Sequence, residues 1–140
     1  MKLFRSKRVS IIGTGYVGLV TGVAAALDGH QVVCLDILDE KVKALNSGKA
    51  PFFEPGLDRL IKKFVSTRKL KASLDIQREV ARSDITFICV GTPMKKNGSA
   101  DLSYIRNAAC MIGKAIRNRN EYHVVVMKST VPPGTTRNLL

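Results

Sequence analysis

Three closely spaced glycines carry the strongest chemical signal in this sequence. Gly13-Thr14-Gly15-Tyr16-Val17-Gly18 directly follows the run Val9-Ser10-Ile11-Ile12 and opens a segment of helical period. In a strand–turn–helix of this kind each glycine has a separate task. Gly13 permits the tight turn, Gly15 lets the backbone approach a pyrophosphate, and Gly18 lets the helix pack closely on the strand. The amides of Tyr16 and Val17 fall at the helix N-terminus, where unpaired N–H groups and the helix dipole attract phosphate. Thr14 lies inside the same loop. Asp36 sits at the end of the next apolar run, and its carboxylate can accept both hydroxyls of an adenosine ribose. Its charge repels a 2′-phosphate, so NAD is favoured over NADP. Lys41 and Lys43 stand close enough in sequence to soften that preference. A glycine-rich turn with no ligand, and Asp36 as a plain turn former, is the bland alternative. The conjunction of strand, glycines, helix and distal acid outweighs it.

A second group of residues falls where later strands end: Val90-Gly91-Thr92-Pro93 and Lys128-Ser129-Thr130. In open α/β sheets, ligands bind outside the carboxyl ends of the strands. Val90, Gly91, Thr92, Ser129 and Thr130 are therefore candidates to line the far half of a cofactor. Taken singly, each is ordinary turn chemistry. Cys34, Cys89 and Cys110 are too few and too widely spaced for a disulfide framework, and no Cys-x-x-Cys pair is present to hold zinc. Cys34 and Cys89 each sit inside an apolar run, where a thiol behaves as a small buried hydrophobe.

The elements that must position these residues alternate. Short runs rich in Val and Ile are separated by longer segments of helical period, the pattern of a parallel sheet with crossover helices. The expected strands are 8–13, 31–37, 70–74, 85–90 and 123–127. The expected helices are 16–28, 39–46, 56–66, 76–82 and 102–119, with a further one after Pro132-Pro133. Gly29 and Gly48 stop two of them, Asp39 reads as an N-cap, and Pro55 is placed to start the third. Ile85 to Val90 reads as a strand covered on both faces. Ile105, Ala108, Ala109, Ile112 and Ile116 fall on one face of the longest helix. The expectation is an α/β fold: a Rossmann-type doubly wound parallel sheet in three layers, with about five strands in the order 3-2-1-4-5.

The 140 residues suit one domain with a real core, at 45% hydrophobic and 24% charged. The longest apolar runs stop far short of the ~20 residues of a membrane span. The basic stretch from Lys2 to Arg8 precedes no signal-peptide core, so a soluble, cytoplasmic protein is expected. The net charge of +12 comes from basic residues spread along the whole chain, with no nucleic-acid motif and no Trp. Solvated faces explain it better than a nucleic-acid partner. The chain stops at Asn138-Leu139-Leu140 without a helix stop signal, which reads as one domain of a longer protein.

Four motifs occur in order: Gly13-Thr14-Gly15-Tyr16-Val17-Gly18-Leu19, Glu54-Pro55-Gly56-Leu57, Val90-Gly91-Thr92-Pro93 and Ser129-Thr130-Val131-Pro132-Pro133-Gly134-Thr135. Together they resemble the N-terminal domain of the UDP-glucose/GDP-mannose dehydrogenases, the NAD-dependent nucleotide-sugar 6-dehydrogenases. The resemblance covers essentially the whole chain. It implies that Asp36 and Lys41 hold the adenosine ribose, that Thr92 contacts the cofactor further along, and that Thr130 orders a water near the nicotinamide. It implies oxidation of a sugar C6 alcohol to a carboxylate with two NAD, through an aldehyde held on a cysteine thiolate. UDP-glucose is the default substrate, with UDP-N-acetylmannosamine, UDP-N-acetylglucosamine and GDP-mannose as alternatives, and the complete enzyme is expected to be a homodimer. The family's nucleophile lies in a Gly-Phe-Gly-Gly-x-Cys segment that does not occur here. Binding of NAD without turnover is therefore expected of this chain alone. A stand-alone NAD-binding module is the reading from another class.

Overall fold

The computed structural model describes residues 5–140. Met1 to Phe4, the start of the basic stretch, lie outside the described residues. Five parallel strands are formed: β1 (Arg8–Ile12), β2 (Gln31–Leu35), β3 (Leu70–Ser73), β4 (Ile85–Ile88) and β5 (Val124–Met127). They lie in the order β3-β2-β1-β4-β5, as the alternating pattern implies. The helices are α1 (Tyr16–Leu27), α2 (Asp39–Asn46), α3 (Leu57–Ser66), α4 (Ile76–Ala81), α5 (Ser103–Ile116) and α6 (Thr135–Leu139).

The period of two along each strand divides the core between the sheet's faces. Val9 and Ile11 of β1, with Val32 and Cys34 of β2, point to the side covered by α1, α2 and α3. Ile12, Val33, Leu35 and Ile88 point to the other, where Ile76 and Val80 of α4 and Ala108 and Ile112 of α5 meet them. The order reverses between β1 and β4, whose connections leave to opposite faces. That reversal opens a crevice at the carboxyl ends of the strands, beside Gly13 and Val90.

Several elements differ from the sequence reading at their ends. Each strand is shorter: β1 to β4 lose their last residues, which turn out of the ladder to form the crevice's rim, and β5 starts one residue later, at Val124. Asp39 is the first residue of α2, and its cap position belongs to Leu38, which makes no side-chain bond. Pro55 precedes Gly56, whose left-handed backbone (φ +80°) starts α3. β4 is only half covered on the α1 side: Thr86 and Ile88 are buried, whereas Ile85 and Phe87 are half-buried. Cys89 is half-buried, so only Cys34 has the fully enclosed setting expected of both. On α5, Ile105, Ala108 and Ile112 are buried, while Ala109 and Ile116 lie at the stripe's margins. Among the described residues no helix is long and apolar enough to cross a membrane.

A candidate dinucleotide site at the strand crossover

The loop between β1 and α1 is held by the sheet itself. The Gly13 amide donates to the Leu35 carbonyl at 2.8 Å, and the Cys89 amide donates to the Ile12 carbonyl at 2.8 Å. Gly13 has φ +96°, and a Cβ there would stand 2.6 Å from the Cys89 carbonyl oxygen. A Cβ at Gly18 would stand 1.9 Å from the Gly13 carbonyl oxygen. These two glycines are required by the turn and by the approach of helix to strand.

Gly15 is different. Its φ of −74° is open to any residue, and a Cβ would meet nothing within 4 Å. Neither backbone conformation nor packing calls for a glycine there. Gly15 instead borders a groove of about 520 Å³ lined also by Gly13, Thr14, Asp36, Lys41, Val90 and Gly91. Gly15 is also the N-cap of α1, which receives no side-chain cap and has no acidic residue in its first turn. The amides of that turn therefore remain available to an anion. Space where a side chain would stand, with uncapped amides beside it, fits a pyrophosphate.

Asp36 closes the groove at the end of β2 and is 8% exposed. Its Oδ2 accepts from the Thr14 amide at 3.0 Å and from the Thr14 hydroxyl, and its Oδ1 accepts from the Leu38 amide at 3.1 Å. Lys41 on α2 places its Nζ 3.6 Å from Oδ2. Burial alone raises the carboxyl's pKa, but the Thr14 and Leu38 bonds and the Lys41 charge outweigh it and hold Asp36 below the usual 3.8. Asp36 is thus a fixed, ionised acceptor. Thr14 is 1% exposed, and its hydroxyl and amide both serve Asp36. It sets the carboxylate in place from beneath.

The remaining residues singled out by sequence separate into groups. Tyr16 and Val17 bring only their backbone to the loop: neither lines the groove, and the Tyr16 ring stacks on Phe52. Gly18 is buried. Val90 and Gly91 line the groove opposite Asp36. Ser129 donates its hydroxyl to the Val90 carbonyl at 2.7 Å, tying the end of β5 to the end of β4. Thr92 donates to the Thr130 carbonyl at 3.0 Å, and both line a second depression of about 350 Å³ with Met94, Gly98 and Pro132.

The groove also holds residues that sequence reasoning missed: Ile37, Leu38, Ile76, Tyr104, Asn107 and Met111. Tyr104, Asn107 and Met111 recur at three- and four-residue spacing along α5, beside the buried stripe. The strand-order reversal predicted from the sequence was the signal that this helix borders the crevice. Burial raises the Cys34 thiol to about 12 and the Cys89 thiol to about 11, so neither is an activated nucleophile. Among the described residues no cluster of His, Cys, Asp and Glu could hold a metal.

Comparison with known proteins matches this geometry. Residues 7–140 fit the model of the UDP-glucose/GDP-mannose dehydrogenase family, NAD binding domain. GDP-mannose 6-dehydrogenase of Pseudomonas aeruginosa is 45% identical over 133 residues, covering 95% of this chain and 30% of that protein. UDP-glucose 6-dehydrogenase of Bacillus subtilis is 48% identical over 129 residues, covering 92% of this chain and 27% of that protein. The crystal structure of a ternary complex of GDP-mannose dehydrogenase from P. aeruginosa has a TM-score of 0.92, covering 94% of this chain and 30% of that one. The chain thus spans about 30% of the length of these relatives. With residues 7–140 matched and the glycine loop, acid and strand order all in place, this chain belongs to the UDP-glucose/GDP-mannose dehydrogenase family, as its NAD-binding domain.

Proposed function

We propose that this chain holds the cofactor for a nucleotide-sugar 6-dehydrogenase, with UDP-glucose as the substrate of the complete enzyme. The observation that carries the cofactor assignment is Gly15, a glycine with no conformational or packing need of its own at the mouth of the groove. NAD supplies the hydride acceptor when bound. The chain's residues orient it. Asp36 and Lys41 hold the adenosine ribose, the amides at the start of α1 hold the pyrophosphate, and Val90 and Gly91 border the opposite wall. Thr92 and Thr130 serve further along, where Thr130 orders a water near the reacting carbon. The thiolate nucleophile is not among Cys34, Cys89 and Cys110 and belongs to another part of the complete enzyme.

GDP-mannose is the second reading for the substrate, favoured by the 45% identity to a GDP-mannose 6-dehydrogenase beside the 48% to a UDP-glucose 6-dehydrogenase. Calorimetric titration of the chain with NAD and NADP tests the cofactor role. Binding of NAD, weaker binding of NADP and loss of NAD affinity in Asp36→Ala are expected; equal affinity for both cofactors would overturn the role of Asp36. Rates of the complete enzyme with UDP-glucose and GDP-mannose decide the substrate.

A further inference from the structure

The segment Pro51 to Gly56, part of the Glu54-Pro55-Gly56 motif, lies against the beginning of α1. Phe52 stacks on Tyr16 with ring centroids 3.9 Å apart and planes inclined by 26°. Tyr16 is the first residue of α1, directly after the Gly15 cap. Nothing else fixes that first turn through a side-chain cap, because Gly15 has none to offer. Phe52 itself is firmly placed. It packs on the core shared by α1 and α3. Its loop is tied to α3 by the Ala50 amide, which donates to Asp58 Oδ1 at 2.7 Å, and is closed by the Leu57 amide on the Glu54 carbonyl at 3.1 Å. Phe53, by contrast, is 86% exposed. Of the two adjacent aromatics, one is committed to Tyr16 and the core.

Tyr16 does not line the groove; its amide opens α1 directly after Gly15, which does. A side chain held at one end by a fixed aromatic restricts the backbone at the other. We infer that Phe52 is a positioning residue for the dinucleotide: through the Tyr16 ring it sets the first turn of α1 so that its amides meet the pyrophosphate. This gives the Pro51–Gly56 loop its part in the site. The inference rests on the reading of the groove as an NAD site. A stacked aromatic pair contributes modestly, so its loss weakens phosphate binding by roughly three- to tenfold.

The test is a set of amide-resolved NMR titrations of the chain with NAD, ADP and adenosine. Adenosine reaches Asp36 but carries no phosphate, so it reports the site without the α1 amides. Phe52→Leu keeps apolar volume against the core and removes the ring; Phe52→Tyr keeps the ring. Phe52→Leu is expected to raise the Kd for NAD and ADP by the same several-fold factor and to leave adenosine unchanged. Phe52→Tyr should restore both phosphate ligands. Unaltered ADP binding in Phe52→Leu would overturn the inference, as would an equal loss for adenosine, which marks a general loosening of the fold. If the unaltered chain bound neither NAD nor ADP, the NAD-site reading would fail first and this inference with it.

Discussion

Gly15 and Gly18 are three positions apart and do opposite work. At Gly18 a methyl group would sit 1.9 Å from a backbone oxygen, which only a shift of α1 away from β1 relieves. Gly18→Ala should therefore destabilise the fold by about 3 kcal/mol, the upper end of overpacking costs, as read by urea unfolding. At Gly15 the methyl has room, and alanine is merely a poorer helix cap, a cost of about 1 kcal/mol or less. Gly15→Ala should fold nearly as well as the unaltered chain yet lose NAD affinity. If it bound NAD normally, the groove mouth would not be the pyrophosphate site. Asp36 gives a third measurement at this scale. Its carboxyl is held low chiefly by Thr14 against the opposing effect of burial. Because the folded pKa lies below the unfolded value, this stabilisation is present above about pH 4 and is lost as pH falls through the folded pKa. Thr14→Val should move the Asp36 titration upward in carboxyl-detected NMR and weaken NAD binding; an unmoved titration would show that Thr14 does not hold the carboxylate. Asp36 and the glycines were legible in the sequence because their chemistry depends on spacing along one strand–turn–helix. The position of Thr14 beneath Asp36 was not, since a threonine in a loop gives no sign of which partner its hydroxyl finds.

Between elements, the sheet is joined by a buried polar chain near the starts of β4 and β5. Ser10 of β1 and Thr86 of β4 share a hydrogen bond of 2.6 Å, and Thr86 meets His123 Nε2 at 2.9 Å. His123 Nδ1 lies 2.9 Å from the Ser83 carbonyl, so the neutral ring donates there and accepts from the Thr86 hydroxyl. The Arg119 guanidinium stands 3.2 Å from Nδ1, with Glu121 and Asp84 beside the arginine. Burial lowers the His123 pKa most; the Ser83 carbonyl opposes it, Arg119 adds to it, and Asp84 opposes it, leaving the ring below 6.5. The unfolded chain therefore takes this proton first. The contribution to stability is full above about pH 6.5 and falls as pH drops through the folded value. Urea midpoints should decline from pH 7.5 to 5, and His123→Gln should flatten that decline; an identical decline in the variant would remove His123 as its cause. Strand order was legible here because apolar runs of period two separated by helices permit few topologies. The polar chain was not, because it joins single residues of β1 and β4 to His123, just before β5. The groove wall on α5 escaped notice for a related reason: Tyr104, Asn107 and Met111 flank the apolar stripe and read as its edge.

For the whole molecule, the charge of +12 invites a polyanion, but its placement argues otherwise. Lys or Arg stands in the last turn of α2, α3, α4, α5 and α6, and acids occupy the first turn of α2, α3 and α4. Five of the 23 basic residues thus complement helix dipoles at separate ends instead of forming one stripe. What the molecule offers to a ligand is the groove, and that leads to a prediction for the chain as it stands. NAD bound to the folded state alone adds stability by mass action, about 2.7 kcal/mol at a hundredfold excess over Kd. The melting temperature should rise by several degrees. Turnover is another matter, since in the proposed reaction the step from aldehyde to carboxylate needs a thiolate at the reacting carbon. Cys34 and Cys89 are held at about 12 and 11 by burial, and Cys110 lines neither the groove nor the depression at Thr92 and Thr130. Addition of UDP-glucose or GDP-mannose to the NAD-saturated chain should yield no sugar carboxylate. Formation of the carboxylate would mean that a nucleophile had been overlooked among these three thiols, and single Cys→Ser variants would then show which one it is.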